Sequence, residues 1–193
     1  MENRKSILNC ALQLFYQKGY DAVGVQEIVE KAGVTKPTLY YYFGSKRGLL
    51  EKLLQEHFGK MEEKLVRASA YDAGIPEILY RLARAFFDGA TADPEFYLMI
   101  LSLFYSGRQS EGFQIVYPMV KRYYRIYVEV FARASEELGN MHGRQEQFAI
   151  GFSGILDHHL MHAATNRDDL SKLHISDEET RSIVKQFMYG IYS

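Results

Sequence analysis

The chain has 193 residues, 47% of them hydrophobic and 24% charged, enough to bury one substantial core or a small domain joined to a larger one. Its single cysteine, Cys10, excludes an internal disulfide framework and points to a reducing, cytoplasmic setting. The net charge of −1 divides unevenly, because up to residue 47 Arg4, Lys5, Lys18, Lys31, Lys36, Lys46 and Arg47 outweigh Glu2, Asp21, Glu27 and Glu30 by three, leaving −4 on the remainder. That asymmetry suggests a basic head that meets a polyanion and a mildly acidic body that does not.

In chain order nearly every segment has a helical pattern. In "RKSILNCALQLF" the apolar positions are interrupted by Asn9 and Gln13, which fits an amphipathic helix and not the continuous apolar run of an export signal. Ile7, Leu8, Ala11, Leu12 and Phe15 recur at helical spacing, so a first helix is expected from about Arg4 to Lys18, with Gly19 as its stop. "VQEIVEKA" fits a second, short helix with Val25, Ile28, Val29 and Ala32 on one face and Gly33 at its end. Thr35 is then an N-cap and Pro37 lies in the first turn of a third helix, 36 to 43. "GS" breaks that helix, and Ser45 caps a fourth, 46 to 68, with Leu49, Leu50, Leu53, Leu54, Phe58, Met61 and Leu65 along its apolar face.

Further on, "GIPEILYRLARAFFDGATA" opens at Pro76, and Asp93-Pro94 starts a helix through "EFYLMILSLFY". That greasy run is shorter than the ~20 residues a membrane span needs, so a soluble protein with no membrane partner is expected. Residues 111 to 138 carry two apolar stripes, as a helix packed from two sides does. On its polar face Arg125, Glu129 and Arg133 stand at i,i+4 spacing and read as a solvated charge ladder. Two more helices are expected at 143 to 165 and 177 to 191, the second opened by the capping box Ser176 and Glu179. Strand signals are absent, so the fold class is all-α, with "AYDAG" and "NRDDLSKLHI" as linkers.

The third helix, "KPTLYYYF", raises a question of placement, since three consecutive tyrosines cannot face one core when side chains step by about 100°. On a helical wheel Leu39 and Phe43 fall together, Tyr41 falls opposite, and Thr38, Tyr40 and Tyr42 flank them. Two short helices joined by a tight turn, the second anchored by two apolar residues and presenting Lys, Pro, Thr and Tyr outward, are the parts of a helix-turn-helix. Lys36 can reach phosphate or base edges, the Thr38 methyl can pack on a thymine methyl, and tyrosine hydroxyls can donate to phosphates. The N-terminus of the fourth helix is a ready phosphate clamp. The blander alternative is that these rings cap a helical bundle and the lysines are solvated surface.

Residues 4 to 50, "RKSILNCALQLFYQKGYDAVGVQEIVEKAGVTKPTLYYYFGSKRGLL", closely resemble the DNA-binding domain of TetR-family transcriptional regulators. The shared pattern is Leu-Phe and Gly-Tyr at the end of the first helix, Val-x-x-Ile, Ala-Gly-Val, and Thr-Leu-Tyr-x-Tyr-Phe before Ser-Lys. The resemblance implies an N-terminal three-helix helix-turn-helix DNA-binding domain at 1–47, followed by a larger helical effector-binding and dimerisation domain at 48–193. It places Lys36, Pro37, Thr38, Tyr40 and Tyr41 at base- and backbone-contacting positions, and Tyr42 and Lys46 at phosphate-contacting ones. Thr35 and Gln26, the latter at the exposed start of the second helix, complete the set assigned to DNA. Val23 and Gly24 stand where the family usually has Thr and Ser, so the second helix lacks a side-chain cap.

In the body, Phe87, Tyr97, Phe104, Tyr117, Tyr124, Tyr127, Phe152 and His159 are candidates to line an apolar cavity for a flat or greasy small molecule; the bland reading is that the rings fill a core. Gly151, Gly154, Ile155, His158 and His162, with Ile183, Val184, Phe187, Met188 and Ile191, are candidates for a homodimer interface of two helices per subunit, matching a palindromic operator on double-stranded DNA. His158 and His162, at i,i+4 near Asp157, have metal-ligand spacing but are assigned to the interface; no metal or cofactor is assigned. The expected function is a repressor released from its operator by a small-molecule effector. The alternatives are a DNA-binding regulator without effector, and a metal-dependent hydrolase built on the histidine pair.

Overall fold

The computed structural model describes residues 2–70, 72–139 and 141–190. Among them it has no strand: the elements are α1 (Glu2–Lys18), α2 (Val25–Ala32), α3 (Lys36–Phe43), α4 (Lys46–Ser69), α5 (Ile75–Ala92), α6 (Pro94–Phe104), α7 (Glu111–Arg133), α8 (Gln145–Thr165), a 3-10 turn at Leu170–Lys172, and α9 (Asp177–Tyr189). The all-α reading holds, with an N-terminal helix-turn-helix ahead of the larger helical part. Internal contacts divide the chain into two compact units, residues 1–59 with 95–120 and residues 60–94 with 121–193. The divisions fall within α4, at the start of α6 and within α7.

The first unit is built round α1, whose Ile7, Ala11 and Phe15 are buried with Ile28 of α2, Leu39 of α3 and Leu49, Leu50 and Leu53 of α4. Tyr20 packs edge-on against Phe15 with centroids 5.1 Å apart. Its hydroxyl donates to Glu111 Oε2 at 2.5 Å, and burial, then that carboxylate, push the phenol pKa up. In α6, Phe96 is stacked by His57 at 4.5 Å and met edge-on by Phe58.

The second unit has an aromatic centre in which Phe152 lies 5.9 Å from Tyr127, 6.3 Å from Phe131 and 5.0 Å from Phe187. Thr180 of α9 is wholly buried. Arg84 of α5 ties that region down, donating to Thr180 Oγ1 at 2.8 Å and to the Ile175 carbonyl at 2.7 Å.

The structure departs from the sequence pattern at several points. The helix drawn over 111 to 138 ends at Arg133, and the residues after it serve other helix ends. Glu137 accepts the Ile75 amide at 3.0 Å, capping α5, whose N-cap Gly74 has no side chain to do so. Arg133, expected in a solvated ladder, instead donates to the Ser69 carbonyl at 2.6 Å and closes the C-terminal end of α4. The start of α8 moves from 143 to Gln145 because His142 and Gly143 hold positive φ of 50° and 77°, outside the right-handed helix. The loop read as a plain linker contains the 3-10 turn, capped by Asp169 through the Ser171 amide at 3.0 Å. Ile191, assigned to the last helix, lies outside the described residues.

Candidate nucleic-acid interface and effector site

The turn between α2 and α3 is made by backbone and one hydroxyl. Gly33 takes the left-handed conformation at φ 66°, its amide donating to the Glu30 carbonyl while the Val34 amide donates to Val29 at 3.0 Å. These two bonds satisfy the last carbonyls of α2 and stop it after eight residues. Two residues later Thr35, in extended conformation, accepts the Thr38 amide at 3.4 Å and exchanges a hydroxyl hydrogen bond with Thr38 at 2.9 Å. Gly24 caps α2 without a side-chain bond, as the departure at Val23 and Gly24 foretold.

With both ends fixed, α3 is oriented by its anchors. Leu39 is fully buried and Phe43 nearly so, whereas Tyr41 is 84% exposed and Tyr40 46%. Lys36 and Pro37 are exposed, and Thr38 and Tyr42 half-buried. Tyr42 meets Tyr41 edge-on at 5.2 Å, so the outward ring has a neighbour on one side only. Gln26 is exposed and hydrogen-bonded to Glu30. The arrangement offers a ridge of rings, a lysine and a threonine on a short rigid rod.

Lys46 is different. Its ammonium donates to the carbonyls of Tyr20 and Val23, both at 3.0 Å, and stands 4.2 Å over the Tyr20 ring. Two of its three N–H bonds therefore hold the loop after α1, and one is left for a phosphate. Ser45 accepts the Gly48 amide at 2.9 Å and so starts α4. Arg47, unassigned from the sequence, pairs with Glu51 at 2.9 Å and lies 3.9 Å from Glu111.

The eight residues proposed for an effector cavity separate. Phe87, Tyr124, Tyr127, Phe152 and His159 belong to the second unit, and Tyr97, Phe104 and Tyr117 to the first. Phe87, Tyr127 and Phe152 are fully buried in core packing. Tyr124 is half-buried and donates to the Glu146 carbonyl at 2.8 Å. In the first unit Tyr97 is buried, Phe104 packs against Phe113 at 6.0 Å, and Tyr117 is exposed, stacked on Phe113. An aromatic recess in the second unit, about 130 Å³, is walled by Phe131, Leu138, Met141, Arg144, Phe148, Phe187 and Met188. Sequence patterning missed Arg144, which stands 5.5 Å over the Phe148 ring, a pairing visible only as an i,i+4 spacing at a helix start.

The residues proposed for dimerisation also divide. Ile183 and Val184 are buried in the chain's own core and are not available to a second copy. Gly151, His158 and His162 are exposed, and Gly154, Ile155, Phe187 and Met188 half-exposed. Ile150, 62% exposed, and Met161 share the outer face of α8 and were not picked out. His158 Nδ1 lies 2.9 Å from the Gly154 carbonyl, and His162 neighbours the Asn166 amide. Among the described residues no group of three His, Cys, Asp or Glu is placed to hold a metal ion, and the hydrolase reading finds no support. Among them, too, no helix is long and apolar enough to cross a membrane.

Residues 7–53 match the family model of bacterial regulatory proteins, tetR family. The activator FasR of Mycolicibacterium smegmatis is 29% identical over 159 residues, 80% of this chain and 68% of that protein. The repressor BdcR of Escherichia coli is 46% identical over 77 residues, 40% of this chain and 39% of its own length. Among solved structures, the regulator FadR from Bacillus subtilis in complex with stearoyl-CoA superposes with a TM-score of 0.78 at 21% identity, covering 97% of this chain and 98% of that one. PfmR from Thermus thermophilus does so with a TM-score of 0.73 at 19% identity, covering 96% and 98%. A helix-turn-helix whose second helix turns its rings outward, matched by the family model over residues 7–53, identifies the N-terminal head of this chain as a DNA-binding domain of the TetR family of transcriptional regulators.

Proposed function

We propose that the chain is a homodimeric repressor that grips a palindromic operator through α3 of each copy and lets go when a small molecule with an apolar tail binds its helical body. The observation that carries the DNA half is the exposure of Tyr41 and Tyr40 on a helix pinned by Leu39 and Phe43. Lys36, Pro37, Thr38 and Tyr41 would meet base edges and sugar, and Tyr42, Lys46 and the amides at the start of α4 would meet phosphates. Thr35 and Gln26 border the same surface.

The effector half is supported by the recess of Phe131, Phe148 and Phe187, apolar except for Arg144 at its rim. An acyl chain joined to a polar head suits such a wall, and stearoyl-CoA, named in the B. subtilis FadR complex, is the first compound to try. Release is linkage: an effector that prefers a conformation with the two α3 helices misplaced for successive major grooves weakens DNA binding, and about 1–3 kcal/mol of coupling suffices for a five- to 150-fold change.

Selection of bound DNA from a random pool tests the reading. A palindrome with half-sites about one helical turn apart is expected. Enrichment of a single unpaired site, or of none, would overturn it. Stearoyl-CoA titrated into the operator complex then tests the effector.

A further inference from the structure

A groove of about 510 Å³ in the second unit shares no residue with the aromatic recess. Lys64 and Arg67 enter it from α4, and Tyr80, Arg81, Arg84 and Asp88 from α5. Ala68 and Ala85 keep its floor low. Within each helix the cations stand at i,i+3, so both pairs turn toward one concavity. We propose that this groove binds a small molecule through a diphosphate or a pair of phosphates.

Two of the four cations around it are paired and two are not. Four cationic side chains line the groove against one carboxylate, Asp88, which is held by Arg84. Arg81 is paired with Glu77 at 2.7 Å. Of the neighbouring acids, Glu62 takes Arg122 at 2.6 Å, and Asp177, beside the groove through the Tyr80 hydroxyl it accepts, lies 3.6 Å from Arg181. Lys64 and Arg67 form no ion pair among the described residues, although Glu63 stands four residues before Arg67 where a helical pair is favoured. Lys64 and Arg67 leave the concavity an excess of two positive charges beside the two paired arginines, and a ligand of two or more negative charges balances that excess better than a monocarboxylate.

Arg84 supplies the fixed element. Its side chain is 17% exposed and held by the Ile175 carbonyl and the Thr180 hydroxyl, so little rotamer freedom is lost when an anion arrives. A guanidinium fork matches phosphate oxygens two at a time, and three of the four cations are arginines. The volume suits a compound of cofactor size and excludes a duplex.

The inference stands whether or not an acyl chain fills the aromatic recess. Isothermal titration of the full chain with inorganic pyrophosphate, ADP and coenzyme A, without DNA, tests it. Pyrophosphate is expected to bind and to weaken as salt is raised. Lys64→Gln with Arg67→Gln should weaken it at least tenfold, with the melting temperature unchanged because neither side chain bonds to the fold; Arg84 is left intact because it holds α9. Coenzyme A binding more tightly than ADP identifies a coenzyme-type head, and equal affinity a plain nucleotide. Absence of binding by all three at millimolar concentration, or equal affinity of the double variant, overturns the proposal. So does a matching loss of operator affinity in the double variant, which would make these cations DNA contacts.

Discussion

Leu39 and Tyr41 are two residues apart and do opposite work. Leu39 has no exposed surface, so Leu39→Ala should destabilise the chain by about 2–5 kcal/mol, the usual range for emptying a packed leucine site. Tyr41 is 84% exposed and meets Tyr42 edge-on, so Tyr41→Ala should leave the melting temperature nearly where it is and weaken operator binding by about 1–3 kcal/mol, roughly five- to 150-fold, in a titration at fixed salt. Equal affinity of that variant would place DNA elsewhere. Tyr20 gives a pH signature. Burial and the Glu111 carboxylate raise its folded pKa above the unfolded value near 10, so its stabilising contribution is complete below pH 10 and lost as pH rises beyond it. Chemical denaturation between pH 8 and 11 should show that decline, and Tyr20→Phe should flatten it. The outward placing of Tyr41 was legible because an eight-residue helix with two anchors has only one way to turn. The inward commitment of Lys46 was not, because its two acceptors are backbone carbonyls more than twenty residues away, which no side-chain pattern encodes.

At the scale of the helix, legibility followed the range of the cause. The ends of α2 and α3 are set by Gly33, Thr35 and Pro37 within their own few residues, and the sequence placed both helices where the structure has them. Capping of α5 was hidden: Gly74 and Pro76 announce a start, but the acceptor is Glu137, 62 residues on. Glu137→Ala should cost about 1 kcal/mol, the usual worth of a lost cap, and speed hydrogen exchange at the Ile75 amide. An unchanged exchange rate would show that water replaces the carboxylate at no cost. Pro118 inside α7 is another local mark with a local effect, since it leaves the Gln114 carbonyl without its intrahelical donor. The effector rings fared worst for the same reason: a stripe of aromatics at helical spacing looks alike whether it lines a cavity or, as Tyr127 and Phe152 do, fills a core.

For the whole molecule, the question is how one basic head becomes specific for a site in a genome. A single α3 reads only a few base pairs, whereas two copies joined by a two-fold axis read a palindrome and gain the effective concentration of tethering. The chain offers an outer face of α8 on which Ile150, Gly154, His158 and Met161 follow one another at steps of three or four residues, with the large apolar Ile150 more than half exposed. If this face pairs with itself, Ile150→Asp sets two carboxylates against each other across the axis, where each loses hydration without gaining a partner. Sedimentation should then report monomer at micromolar concentration, and operator affinity should fall by about a hundredfold or more as the second half-site ceases to be tethered. Half-site binding by the variant should stay equal to that of a wild-type head, because residue 150 and α3 belong to different units. A variant that remained dimeric would move the axis off α8, and with it the pairing that makes a palindrome the expected operator.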